Sequence, residues 1–129
     1  MNYLDSLYWI HERSKFGIKP GVKRMEWMLE QFNNPQDKIR GIHVGGTNGK
    51  GSTVAYLRTA LVENGYEVGT FTSPFIESFN ERISLNGTPI TNDELVQLVE
   101  RVKPVSEALE TETELGGATE FEIITTMMF

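Results

Sequence analysis

The sequence contains no cysteine. Disulfides and thiolate metal sites are therefore excluded, and a reducing compartment is left open. No apolar run is long enough to cross a bilayer as a helix, and the first residues lack a signal-peptide pattern, so the cytoplasm is the default location and no membrane partner is expected. There is no internal repeat and no low-complexity segment. Basic residues are scarce in one half: residues 1–58 carry nine Lys and Arg against five Asp and Glu, residues 59–129 three against thirteen, for a net charge of −6. The acidic half argues against a nucleic-acid partner, while the basic half suits an anionic ligand. What is present is the composition of one ordinary globular domain, with 129 residues of which 39% are hydrophobic and 23% charged.

One stretch organises the chain: Gly45-Gly46-Thr47-Asn48-Gly49-Lys50-Gly51-Ser52-Thr53. It follows a short apolar segment, Ile39 to Val44, that reads as a strand, and it opens a segment, Thr53 to Asn64, that reads as a helix. Glycines let the backbone take positive φ and approach a guest closely. A helix start adds unpaired N–H groups and a partial positive charge. A phosphate matches that combination, with Lys50 as a mobile full charge and Ser52 or Thr53 as a hydroxyl suited to Mg²⁺. The pattern G-x-x-x-x-G-K-[ST] is not met literally, because Val44 stands where its first glycine belongs and Gly51 follows the lysine. The stretch is a P-loop variant; its bland alternative is a glycine-rich turn with a solvated lysine.

Along the chain, Asn2 to Ser14 reads as a helix capped by Asn2, with Tyr3, Leu4, Leu7, Tyr8 and His11 on its apolar stripe and His11 as a packing residue. Pro20-Gly21 marks a turn, and Val22 to Phe32 resumes helical spacing. Lys15, Lys19, Lys23 and Arg24 form either a solvated face or a rim for an anionic substrate. His43 reads as structural. In the helix after the glycine loop, Val54, Leu57 and Leu61 make the expected buried stripe, ended by Gly65. Glu67 to Thr72 reads as a second buried strand. Strand, loop, helix and strand in this order predict a right-handed βαβ unit with parallel strands. Ligands bind such sheets at the carboxyl ends of strands, which puts Thr72-Ser73-Pro74-Phe75 beside the loop.

Phe75 to Arg82 reads as a packed loop, in which Phe75 and Phe79 either stack on a ligand or pack beneath it. Arg82 to Ile90 reads as a hairpin turning at Asn86-Gly87. Thr91 and Glu94 suggest a capping box for a helix burying Leu95, Leu98, Val99 and Val102, bent or ended near Lys103 by Pro104. Glu107 to Gly117 reads as an acidic surface loop. Glu120 to Phe129 reads as a helix that stops without a cap on an exposed Met-Met-Phe, as the front piece of a longer protein would.

The pieces His43-Val44 leading into Gly46-Thr47-Asn48-Gly49-Lys50-Gly51-Ser52, then Thr72-Ser73-Pro74-Phe75, Asn80-Glu81-Arg82-Ile83 and Thr119-Glu120-Phe121-Glu122 together resemble the folylpolyglutamate synthases and dihydrofolate synthases, within the Mur-type ligases. The loop fits any Mur-type ligase; the Thr-Ser-Pro-Phe and Asn-Glu-Arg-Ile stretches point to the folate branch. Gly45 departs from the family's usual Thr or Ala. The resemblance implies an α/β fold, a P-loop NTPase-like parallel sheet with flanking helices. Residues 1–129 would be the N-terminal part of the ATP-binding domain, without its remainder and without the glutamate-binding domain.

The implied activity is ATP-dependent joining of L-glutamate to a folate or dihydropteroate through an acyl phosphate, with ATP and Mg²⁺ required and a monomeric full-length protein. By the same resemblance, Gly46, Thr47, Asn48, Gly49, Lys50, Gly51, Ser52 and Thr53 hold ATP, with Lys50 catalytic, and Ser73 and Glu122 bind the metal. Thr72, Pro74, Phe75, Phe79, Arg82, Gly21, Val22, Lys23, Thr119 and Phe121 would face the folate. From the residues alone, nothing brings Glu122 to the loop, and a solvated helix carboxylate is its alternative. A further metal-binding histidine, a modified lysine and the adenine pocket would lie beyond Phe129, so the chain alone is not expected to turn over. Two other readings stand beside this one: a Mur-type ligase acting on a cell-wall precursor, and a non-catalytic nucleotide-binding fragment.

Overall fold

A computed structural model describes residues 1–73 and 77–129. The chain divides into two compact units, Met1–Arg40 with Asp93–Phe129, and Gly41–Asn92.

The first unit is helical. Its elements are α1 (Tyr3–Glu12), α2 (Lys23–Glu30), α4 (Asn92–Glu112, starting at the unit boundary) and α5 (Glu120–Met128), with 3₁₀ turns at Arg13–Phe16 and Pro35–Lys38. The Asn2 side chain accepts from the Asp5 N–H at 2.8 Å and caps α1 as expected. The stripe differs from the expected one, however. Ser6, Trp9 and Ile10 are buried while Leu4 and Tyr8 are exposed. His11 is exposed too, its Nδ1 3.0 Å from Glu120 Oε1. Two overlapping stripes of similar apolarity run along α1, and the neighbouring helices select one.

Ile10, Met28, Leu95, Val99, Leu109, Ile123 and Ile124 are fully buried and form the centre of this unit. Helix α4 does not end at Pro104 but continues to Glu112, so Glu107 to Glu112 of the expected loop is helix and only Thr113 to Gly117 is loop. Pro104 is exposed while Val102, Ser106 and Leu109 are buried on the other face. Burial of that face on both sides of the proline sustains the helix despite the lost N–H. Leu98 is only half-buried. Helix α5 starts with a capping box, Thr119 Oγ1 accepting from Glu122 N–H and Glu122 from Thr119 N–H. Of the Met-Met-Phe expected to be exposed at its end, Met127 is buried, Met128 half-buried and Phe129 exposed.

The second unit holds α3 (Lys50–Glu63) and an antiparallel sheet of order β1-β2-β3, with β1 at Gly69–Phe71, β2 at Ile83–Leu85 and β3 at Thr88–Pro89. Gly69 faces Leu85 and Phe71 faces Ile83. Asn86 and Gly87 both have positive φ, 51° and 86°, as a primed two-residue turn requires. Helix α3 ends as its sequence predicts: Gly65 N–H bonds Val62 O and Tyr66 N–H bonds Leu61 O, a Schellman stop with Gly65 at φ 88°.

Three expectations fail in this unit. Ile39 to Val44 forms no strand, and every strand pairing among the described residues is antiparallel. The segment Glu67 to Thr72 contributes only three strand residues, and these are not buried. Val54, Leu57 and Leu61 are not a buried stripe, because no residue of α3 is buried. A strand exists only where another strand completes its hydrogen bonds, and no such neighbour for residues 39–44 occurs among the described residues. The hairpin is local and needs only its own turn.

Candidate functional site

The glycine loop leads into α3 without a strand before it. Gly46 has φ 139° and Gly49 φ 76°, so two of the four glycines occupy backbone that other residues take only with strain. Gly49 is the N-cap, and no side chain caps the helix start. The first bond of the turn runs from Thr53 N–H to Gly49 O at 3.0 Å. The N–H groups of Lys50, Gly51 and Ser52 therefore project from the helix start in solvent. The Lys50 stem passes over Gly46, its Cγ 4.0 Å from where a Cβ on that glycine would stand. Amides without a side-chain cap, a dipole end and an exposed lysine in one turn give it the chemistry that suits an anion.

Ser73 is exposed just past the carboxyl end of β1. Thr72 is occupied structurally, its N–H donating to Arg82 O at 2.9 Å. Phe79 is buried, and the Arg82 guanidinium lies 5.6 Å from its ring and 5.7 Å from that of Phe71. Phe79 thus packs within the unit. Pro74 and Phe75 lie outside the described residues.

The first unit carries a cavity of about 520 Å³. Gly21, Val22, Thr119 and Phe121, four of the residues tied above to folate, line it together with Glu122, Lys19, Ile18, Met25, Gly17 and Thr125. Lys23, at the start of α2, is exposed and is not on its lining. Val22 and Phe121 are among the exposed apolar side chains, and Ile18 is fully exposed.

Glu122 is neither a solvated carboxylate nor an open one. It is buried, and Arg24 Nε donates to both of its oxygens, at 2.9 and 3.1 Å. Its Oε1 also accepts from Thr119 N–H at 2.9 Å. Burial pushes its pKa up, but the Arg24 and Thr119 hydrogen bonds and the Arg24 charge more than offset this and hold it below the usual carboxylate range. Arg24, read from sequence as one of a basic group, is buried and central to this arrangement. No local signal could pair it with a residue 98 positions away. Among the described residues, no group of three or more His, Cys, Asp or Glu side chains is placed to hold a metal ion.

No model of a known protein family matches the chain. Curated relatives do. The chain is 56% identical over 127 residues to the dihydrofolate synthase/folylpolyglutamate synthase of Bacillus subtilis, covering 98% of this chain and 29% of that protein. It is 39% identical to the folylpolyglutamate synthase of Lacticaseibacillus casei, covering 98% of this chain and 30% of that one. Among solved structures, folylpolyglutamate synthetase from Lactobacillus casei superposes with a TM-score of 0.91 at 38% identity, over 99% of this chain and 32% of that chain. An FPGS–AMPPCP–folate complex matches with a TM-score of 0.86 at 37% identity, over 99% of this chain and 31% of that chain. The chain thus spans under a third of the length of the relatives it matches. On these likenesses it belongs to the folylpolyglutamate synthase/dihydrofolate synthase family.

Proposed function

We propose that this chain forms the phosphate seat and part of the folate pocket of an ATP-dependent ligase that joins L-glutamate to a folate or to dihydropteroate. A carboxylate is a poor electrophile. In this reaction its oxygen attacks the γ-phosphorus of ATP and ADP leaves; the glutamate amine then attacks the acyl carbon and phosphate leaves. The first step needs placement and charge neutralisation more than an acid–base pair. The loop at Gly46–Ser52 carries the reading, because its uncapped amides and Lys50 supply both. A preorganised donor of this kind is worth about 2.7–4 kcal/mol of barrier.

The ATP reading draws support from the AMPPCP complexes among the structural relatives. Mg²⁺ bound with the nucleotide supplies further neutralisation, and the exposed Ser73 hydroxyl fits a hard cation that keeps most of its waters and phosphate ligands. Glu122 fits less well, since Arg24 already neutralises its carboxylate. The mainly apolar cavity beside Phe121 and Val22 suits a flat aromatic ring, and the folate-bound relative supports assigning it to the pterin. We further propose that residues 39–44 and β1 enter the parallel sheet of a P-loop-type ATP-binding domain once their strand neighbours are present, with the glutamate-binding domain contributed by length that this chain does not span. The complete enzyme is proposed to be a cytoplasmic monomer.

Calorimetric titration with ATP, with and without Mg²⁺, tests the nucleotide reading. Saturable, Mg²⁺-dependent binding weakened on the order of tenfold or more in Lys50→Ala is expected; no binding at millimolar ATP would refute it. Binding of folate, not displaced by a UDP-linked muramoyl compound, separates the folate ligase from a cell-wall one. With ATP, Mg²⁺, folate and glutamate all present, the isolated chain is expected to bind without forming product.

A further inference from the structure

We propose that Glu122 is a positioning residue for the cavity in the first unit, acting through Arg24 on the loop of residues 17–22, and is not a magnesium ligand. The inference rests on the proposal that this cavity takes the folate ring. Four contacts form a closed chain around one wall. Glu122 accepts from Arg24 Nε at 2.9 and 3.1 Å. Arg24 Nη2 donates to Lys19 O at 3.2 Å. The Lys19 ammonium donates to Gly117 O at 3.0 Å and lies 4.8 Å from the centre of the Phe16 ring. Gly117 stands two residues before Thr119, whose N–H returns to Glu122 Oε1 at 2.9 Å.

The loop needs such an anchor. It has no regular structure, two of its residues are glycines at positive φ, and Ile18 stands fully exposed on it. Val22 is held at the start of α2, its O accepting from Glu26 N–H at 2.9 Å, while Ile18 stands four residues earlier, between the two glycines. The carboxylate is meanwhile a poor candidate for a metal. Both oxygens are engaged by a guanidinium, and a cation there would have to displace Arg24 or lie beside its positive charge.

The test measures folate binding by pterin fluorescence and Mg·ATP binding by calorimetry on the same preparations of the full chain. The variants are Glu122→Gln, Arg24→Met, their double combination, Arg24→Lys and Lys19→Met. Glu122→Gln and Arg24→Met should each weaken folate binding on the order of tenfold, with the double variant no worse than the weaker single one. Arg24→Lys should recover part of the loss, and Mg·ATP affinity should stay within about twofold in all of them. Lys19→Met, which breaks the Lys19–Gly117 link and keeps the Arg24 bond to Lys19 O, should weaken folate binding several-fold with only a small fall in melting temperature; it tests the same closed chain should the buried variants not fold. Loss of Mg²⁺-dependent ATP binding in Glu122→Gln, with folate affinity intact, would overturn the inference in favour of a metal ligand. Wild-type folate affinity in Lys19→Met and Arg24→Lys would overturn it as well. Failure of the wild-type chain itself to bind folate would refute the pocket assignment, and this inference with it.

Discussion

Arg24 and Glu122, 98 positions apart in sequence, form a buried ion pair in which one guanidinium nitrogen serves both carboxylate oxygens. With side-chain exposures of only 10% and 8%, the pair is shielded from solvent. Removing one partner of such a pair leaves an uncompensated buried charge and costs about 3–5 kcal/mol. Arg24→Met should therefore lower the midpoint of urea unfolding sharply. A midpoint within error of wild type would mean that water enters freely at this site.

The same pair sets a direction for pH. The folded pKa of Glu122 is depressed, so its contribution to stability is complete above the unfolded value of about 4.3 and is lost as pH falls through the lower folded value. Unfolding free energy should fall on acidification below about pH 4.3, and Glu122→Gln should flatten that fall. An acid limb of unchanged slope in the variant would assign the effect to other carboxylates.

Gly117 is buried against Phe16, and a Cβ there would run into the ring. Gly117→Ala should destabilise the chain by about 1–3 kcal/mol through overpacking. Adding Phe16→Leu should return part of that loss. A double variant less stable than Gly117→Ala alone would contradict the steric account.

At Gly46 the backbone has φ 139°, where an L side chain is strained. Gly46→Ala should weaken ATP binding by reshaping the loop under Lys50, with a stability cost of about 1–3 kcal/mol at most because the loop is exposed. Undiminished ATP affinity in this variant would show that the nucleotide does not use the loop conformation seen here.

Pro104 lies on the exposed face of α4, inside 21 residues of continuous helix. Pro104→Ala restores a helix N–H and should raise the melting temperature, by at most about 3 kcal/mol of stability. A lower melting temperature would mean that the proline's restriction of the unfolded chain outweighs its cost to the helix.

Features whose physics is local were readable from the order of residues alone. The positive-φ glycines of the loop, the Asn2 cap, the Gly65 stop and the Asn86-Gly87 turn each depend on residues within a few positions, and each is found where the sequence places it. The family, too, was legible, because the loop and the short motifs after it are contiguous strings. Packing in three dimensions settled the non-local matters. It selected the buried face of α1, carried α4 through Pro104, gave β1 an antiparallel partner, and joined Arg24 to Glu122. Each of these depends on which surfaces meet, and a burial or charge contact between distant residues leaves no periodicity along the chain from which to read it.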